Sequence, residues 1–299
     1  MRRPLDAATL RAAVSAAGGP WQGVAVHVDV DSTNAEAARH PRAWAVVCSD
    51  HQGRGRGRLG RSWDAPSFAS VAVSAVLPAG GAEPSMQGWL PLLTGMAMAR
   101  AVRDLTGATP RLKWPNDLLL RQPLGQSVDG GPEWRKVGGV LCELLAPGGA
   151  SRRLVVAGVG LNVDQRAEEL PVGTATSLAL CGIASPVSRE NLIAGYLVHL
   201  ANLHRAWATG AGGLDALRQE YRQECLTLGQ QVRLHRADGS AVTGTAVRVD
   251  DTGRLVLDGA DSPHGADGPD GADGPIAHSA GDVVHLRPAA SVPAGTAPP

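Results

Sequence analysis

The chain has 299 residues with 28 basic and 28 acidic side chains, so its formal charge at pH 7 is zero. Such a balance argues against a general nucleic-acid binder, which needs a basic excess, and no apolar run is long enough to span a bilayer. The length suits one large domain with a smaller partner, and with aromatics at only 3% the core must rest on Ala, Val and Leu.

The N-terminal Met1-Arg2-Arg3-Pro4 leads into Ala-rich sequence and has no apolar leader core. Residues 5–17 predict a short helix with Leu5, Leu10 and Val14 on one side, stopped by Gly18-Gly19-Pro20. Gly23–Val30 alternates as a strand does. Asp31-Ser32-Thr33-Asn34 follows, where Ser32 or Thr33 can cap the next helix. The exposed hydroxyls and amide there would also line the mouth of a site at that strand end.

A short apolar strand, Ala43–Cys48, delivers the chain into H-Q-G-R-G-R-G-R-L-G-R-S-W at 51–63. Arg54, Arg56, Arg58 and Arg61 alternate there with Gly53, Gly55, Gly57 and Gly60. Guanidinium groups this close repel one another and none can lose its proton. The glycines let backbone N–H groups approach a ligand closely. The loop is expected to be mobile when empty and ordered by an anion, best a phosphate read bidentately. A solvated basic loop and an RGG-like nucleic-acid contact are the competing readings. It is not a Walker A loop, because no Gly-Lys-Ser/Thr follows the glycines.

Phe68–Leu77 predicts a strand. Residues 85–106 predict a helix burying Leu90, Leu93, Met96, Ala97, Val102 and Leu105, ended by Gly107. In K-W-P-N-D (113–117), Pro115 holds Trp114 extended and Asn116-Asp117 forms a turn into the strand Leu118–Leu120. An amide and a carboxylate side by side suit a nucleotide phosphate and Mg²⁺, although an ordinary Asx turn has the same sequence. After a Gly/Pro-rich loop at 122–134, strands Lys136–Leu145 and Arg153–Val163 are expected to pair as a hairpin. By alternation Lys136 and Gly138 share one face, and so do Gly158 and Gly160. Facing glycines would leave a bare floor for a planar ring, with Lys136 at its edge; a pair of glycine bulges is the plainer alternative.

Residues 164–187 read as loop, followed by helices at 188–208 and 213–224. Mixed strands and helices without regular β-α-β alternation predict an α+β fold with a mixed sheet and flanking helices. From about 227 the chain reads as a small β-barrel, with strands Gln231–Arg236, Ala241–Val249, Leu255–Leu257 and Val283–Leu286. The acidic Gly/Pro segment 258–275 reads as a disordered insert, and 289–299 as a disordered tail. The expected division is 1–226, catalytic, and 227–288, barrel. Cys48, Cys142, Cys181 and Cys225 lie far apart without metal-type spacing; three sit in apolar surroundings, as buried thiols of a reducing, cytoplasmic compartment.

D-S-T-N (31–34), Q-G-R-G-R-G-R-L-G-R-S-W (52–63), K-W-P-N-D-L (113–118), K-V-G-G-V-L-C-E (136–143) and G-V-G-L-N-V (158–163) together resemble, in order and spacing, the motif series of biotin–protein ligases. G-D-V-V-H-L-R (281–287) is similar to the end of that family's SH3-like C-terminal barrel. The resemblance implies a catalytic domain like that of class II aminoacyl-tRNA synthetases and a two-step ligation. The biotin carboxylate first attacks the α-phosphate of ATP, giving biotinyl-5′-AMP; a lysine of a biotin carboxyl carrier domain then displaces AMP. Some family members carry an N-terminal DNA-binding domain, which this sequence is expected to lack.

By motif match, Ser32, Thr33, Asn34 and Gln52 are implied at the ureido end of biotin. Arg56, Gly57 and Arg58 are implied at its carboxylate and the phosphate. Lys136 is implied near the carboxyl and the α-phosphate, with Gly138, Gly158 and Gly160 as the floor. Trp63, Lys113, Asn116, Asn162 and Arg287 are implied for ATP, and Asp117 for Mg²⁺ and for orienting the acceptor lysine. Arg54 stands where a small residue is common in the family. The cofactors implied are biotin, ATP and Mg²⁺. The partner is an acyl-CoA carboxylase carrier domain, with neither nucleic acid nor membrane, and the chain acts as a monomer or weak homodimer. A lipoate-type ligase or acyltransferase of related fold is the alternative, and a nucleic-acid module built on the arginine loop is the alternative of another class.

Overall fold

The computed structural model describes residues 2–80, 83–123, 134–145, 153–184, 186–259 and 274–286. Helix α1 (Ala7–Ala17) starts at Asp6, whose carboxylate accepts from the N–H groups of Ala8 and Thr9. Strand β1 (Gly23–Val30) has the expected bounds, followed by α2 (Thr33–Arg39), β2 (Ala45–Gln52) and β3 (Ser70–Pro78). Helix α3 (Trp89–Thr106), β4 (Arg111–Lys113), β5 (Asp117–Arg121), β6 (Trp134–Leu144), β7 (Leu154–Asn162), α4 (Arg189–Ala208) and α5 (Ala211–Glu224) complete the larger unit.

Its seven strands form one sheet in the order β1-β2-β3-β7-β6-β5-β4. Only β1 and β2 are parallel, and β6 and β7 form the expected hairpin. Alternation divides the sheet into two faces. Val71, Val73, Ala75 and Leu77 of β3 and Val155, Ala157, Val159 and Leu161 of β7 join α3 and α4 in the main core. The other face is covered in part by α2, through Ala37 against Val47, Val76 and Val156. The rest of that second face is the floor of the site.

Leu105 departs from expectation: it is 40% exposed. The last turn of α3, from Arg103 to Thr106, buries no residue before Gly107 closes the helix at φ 72°. Phe68 lies in a turn at φ 67°, so β3 begins at Ser70. The Trp114–Pro115 peptide is cis, a feature that the sequence reading did not address. Cys48 and Cys225 are buried, Cys142 and Cys181 partly so, and all four are free.

The second unit is a five-stranded antiparallel sheet in the order β11-β10-β9-β8-β12. Its strands are β8 (Gln231–His235), β9 (Ala241–Val249), β10 (Leu255–Asp258), β11 (Ile276–His278) and β12 (Asp282–His285). Strand β11, absent from the sequence reading, pairs with β10 across the insert. Of the supposed insert, Asp258 belongs to β10; residues 260–273 lie outside the described chain, as does the tail.

Two indoles dock the smaller unit. Trp89 Nε1 donates to Asp251 O at 3.0 Å and Trp114 Nε1 donates to Gly253 O at 3.1 Å, both in the β9–β10 turn. A Cβ on Gly253 would lie 2.7 Å from Gly88 carbon, so this turn accepts only glycine, at φ 86°.

Candidate functional site

Lys136 reaches the site through a bulge. Leu118 pairs with Gly138 while Leu119 pairs with Lys136, which leaves Val137 as the extra residue of β6. The side-chain alternation slips there by one. Lys136 therefore shares a face with Gly139, whose added Cβ would lie 3.4 Å from Lys136 Nζ. Gly138 is corrected to the opposite face: its Cβ would lie 3.2 Å from Cδ1 of the fully buried Leu161. The glycine opposite Gly160 is Gly139.

The expected bare bed is covered by the chain's own side chains. A Cβ on Gly160 would lie 2.6 Å from Trp63 Nε1, so the indole lies flat against this glycine and Gly139. Lys136 Nζ stands 5.9 Å from the Trp63 ring centroid, within cation–π range. Gly158 makes room for Asn34 in the same way, with its Cβ position 2.9 Å from Asn34 Cγ. Buried Trp63 Nε1 has no partner among the described residues.

The arginine loop is folded as a tight hairpin. Gly53 N–H donates to Val30 O, Arg54 N–H to Asp31 O and Trp63 N–H to Gly55 O, each at 2.8 Å. Gly57 N–H donates to Arg61 O at 2.6 Å, and a single 3-10 turn at Arg58–Gly60 places Leu59 at φ 55°. The arginines are parted between two surfaces. Arg56 pairs with Glu143 of β6 at 3.1 Å. Arg61 pairs with Asp282 of β12 at 3.1 Å, and Arg58 Nη1 lies 3.5 Å from Gly281 O. Burial pushes the Arg58 guanidinium below its ordinary value, opposed by the charges of Asp282 and Asp117. Arg54 is exposed.

One polar chain runs along the covered face. Gln52 Oε1 accepts from Thr33 N–H at 2.8 Å and from the Thr33 hydroxyl at 3.1 Å. Ser32 is the N-cap of α2 by position, but its side chain makes no cap bond; Gln52 serves the first turn instead. Ser74, fully buried, lies 2.7 Å from Thr33 Oγ1 and donates to Asn34 Oδ1 at 2.6 Å. Asn34 Nδ2 donates to Glu143 Oε2 at 2.7 Å and to Leu141 O at 3.1 Å. The sequence alone does not single out Ser74 or Glu143. The Ser70-Ala72-Ser74 side of β3, small and polar against the valines of the other side, was the available signal for the first.

At the other end, Asp117 and Lys136 form an ion pair at 2.6 Å. Asn116 is spent on shaping the turn, with Nδ2 donating to Val140 O at 3.1 Å. Lys113, on β4, helps by its charge to lower the pKa of His285 in the smaller unit. Asn162 is buried away from this cluster: its Nδ2 donates to Thr176 O and its Oδ1 accepts from Gln165, each at 2.9 Å. Arg287 lies outside the described residues.

The arrangement supplies an apolar plane, a polar end at Thr33–Gln52, and cations from two elements, Arg56 and Lys136. It suits a small amphipathic acid brought against a second anion. Among the described residues no three His, Cys, Asp or Glu side chains are grouped to hold a metal, and no helix is long and apolar enough to cross a membrane.

Comparison with known proteins agrees with this chemistry. The Biotin/lipoate A/B protein ligase family matches residues 30–162, and the Biotin protein ligase C terminal domain matches 227–286. The Biotin--[acetyl-CoA-carboxylase] ligase of Mycobacterium tuberculosis is 35% identical over 295 residues, 96% of this chain and 98% of that protein. The Bifunctional ligase/repressor BirA of Bacillus subtilis is 27% identical over 217 residues, 71% of this chain and 61% of that one. Among solved structures, the biotin protein ligase from Aquifex aeolicus in complex with biotin and ATP covers 90% of this chain and 100% of its own, with a TM-score of 0.68 at 22% identity. At that identity the likeness is one of fold.

Proposed function

The chain belongs to the biotin protein ligases of the biotin/lipoate A/B protein ligase family, and on that premise we propose that it attaches biotin to one lysine of a biotin carboxyl carrier domain, through biotinyl-5′-AMP. The observation that carries this reading is Lys136 within cation–π range of the Trp63 indole over Gly139 and Gly160, with Arg56 paired to Glu143 of the same strand. The match of residues 227–286 to the biotin-specific C-terminal domain favours biotin over lipoate.

In the first step a biotin carboxylate oxygen attacks the α-phosphorus of ATP, and the bond to pyrophosphate breaks. Two anions must meet, so neutralisation by fixed cations is the main catalytic need. Lys136 serves the carboxyl and α-phosphate, and Arg56, Gly57 and Arg58 the same anions from the loop. Ser32, Thr33, Asn34 and Gln52 hold the ureido end, and Trp63 walls the adenine. Lys113 and Asn116 stand on the nucleotide side. In the second step the acceptor lysine nitrogen attacks the acyl carbon, an amide forms, and AMP leaves. Asp117 orients that amine.

The described residues do not fit a resident Mg²⁺, because Asp117 is the one carboxylate at the cluster's centre and it is engaged by Lys136. Mg²⁺ enters on the triphosphate as part of the substrate. The same reading has the chain acting as a cytoplasmic monomer or weak homodimer on an acyl-CoA carboxylase carrier domain, without nucleic acid or membrane. The test is mass spectrometry of a purified carrier domain incubated with the full chain, ATP, Mg²⁺ and biotin. A gain of one biotinyl group at a single lysine supports the reading; no gain removes it.

A further inference from the structure

Glu143 stands on the site face of β6, and one of its oxygens serves two donors. Oε2 accepts from Asn34 Nδ2 at 2.7 Å and from Arg56 Nη2 at 3.1 Å. The two donors differ in freedom. Asn34 is held besides by Leu141 O and Ser74, and lies against Gly158. Arg56 has Glu143 as its one charged partner among the described residues, and its side chain is 49% exposed. A half-exposed ion pair on a long side chain is weak and exchangeable. The Asn34 bond is buried deeper and stays.

We propose that Glu143 is the resting counter-ion of Arg56, exchanged for the biotin carboxylate when substrate enters, and that it lowers biotin affinity while keeping Asn34 in register. The proposal rests on the biotin ligase reading above. An entering carboxylate competes with a carboxylate already in place, and once Arg56 has turned to the ligand the two anions are neighbours. Glu143 is not orphaned by the exchange, because Asn34 still donates to it. It acts through Arg56 and Asn34 and touches no reacting atom, so it is a positioning residue.

Two variants separate its two bonds. Glu143→Gln keeps an acceptor for Asn34 and removes the charge facing Arg56. Glu143→Ala removes both. Equilibrium binding to the full chain is measured for biotin and for its alcohol analogue, in which –CH₂OH replaces the carboxylate. Glu143→Gln should tighten biotin about two- to fivefold, the range of an exposed pair, and leave the alcohol unchanged. Glu143→Ala should weaken the alcohol, because Asn34 loses its acceptor. Unchanged or weaker biotin binding by Glu143→Gln overturns the proposal, as does equal tightening of both ligands. Biotin-dependent pyrophosphate exchange by the unaltered chain keeps the two failures apart: its absence removes the ligase reading, whereas its presence with an unmoved affinity removes only the role of Glu143.

Discussion

Lys136 Nζ lies 2.6 Å from a carboxylate oxygen of Asp117, and it reaches that oxygen because β6 bulges at Val137. In an unbulged strand Lys136 would point toward α3, since Gly139 three residues on faces the site. The bulge thus places the ammonium on the site face, beside Asp117 and the Trp63 ring. Lys136→Ala should lower biotin-dependent pyrophosphate exchange about 100-fold or more, the usual cost of losing one charge-stabilising group. Exchange at the parent rate would remove Lys136 from the first step. Deletion of Val137 should have the same effect by a different route, turning Lys136 away from the site.

The Trp63 indole and Gly160 exclude any side chain between them. Gly160→Ala should therefore destabilise the fold by about 1–3 kcal/mol through overpacking. In a Trp63→Ala background the same substitution should cost less than about 0.5 kcal/mol, because the clashing ring has gone. Urea denaturation of the two single variants and the double variant measures the coupling. Additive losses would mean that Trp63 does not lie on the glycine floor.

The arginine loop closes against the smaller unit through Arg58 and Arg61, at Gly281 and Asp282. Loop closure keeps water and wrong amines from a reactive anhydride. Arg58→Ala should let the acyl-adenylate escape and raise biotinylation of bystander proteins several-fold, read by avidin blotting of a mixed protein sample. Retention of the intermediate equal to that of the parent would dismiss the loop as a lid.

How much of this was legible depended on distance along the chain. Gly23–Val30 and Ala241–Val249 were readable to their ends, because alternation and β-branched residues act locally. Arg111–Lys113 and Ile276–His278 were not, since three residues are too few to show a period. The motif residues of the site were legible as types in order, but their facing was not. Strict alternation puts Gly138 and Lys136 on one face, and only the pairing of β5 with β6 reveals the slip at Val137. From the sequence, Gly158 and Gly160 suggest a floor for a ligand. Their occupants, Asn34 and Trp63, come from segments about a hundred residues earlier, and no local pattern reports such a contact. Glu143 and Ser74 are illegible for the same reason: each gains its role from partners on α2 and, for Glu143, in the arginine loop.

His285 at the end of β12 gives a pH signature to the contact between the two units. Burial, reinforced by the charge of Lys113, pushes its pKa from 6.5 down to about 4. Its ring lies 3.4 Å from Thr227 Oγ1. Between those two values the unfolded chain binds a proton that the folded chain refuses, so stability rises with pH across that window. The contribution is complete above pH 6.5 and is lost as pH falls toward about 4. His285→Asn should flatten the dependence of unfolding free energy on pH in this interval and leave the slope above it unchanged. Lys113→Met should raise the His285 pKa, followed by NMR titration of the ring, by less than removal of burial would, since charge is the smaller of the two causes. A His285 that titrates at its ordinary value in the folded protein would show that the barrel does not cover it, and that Lys113 and β12 are not neighbours.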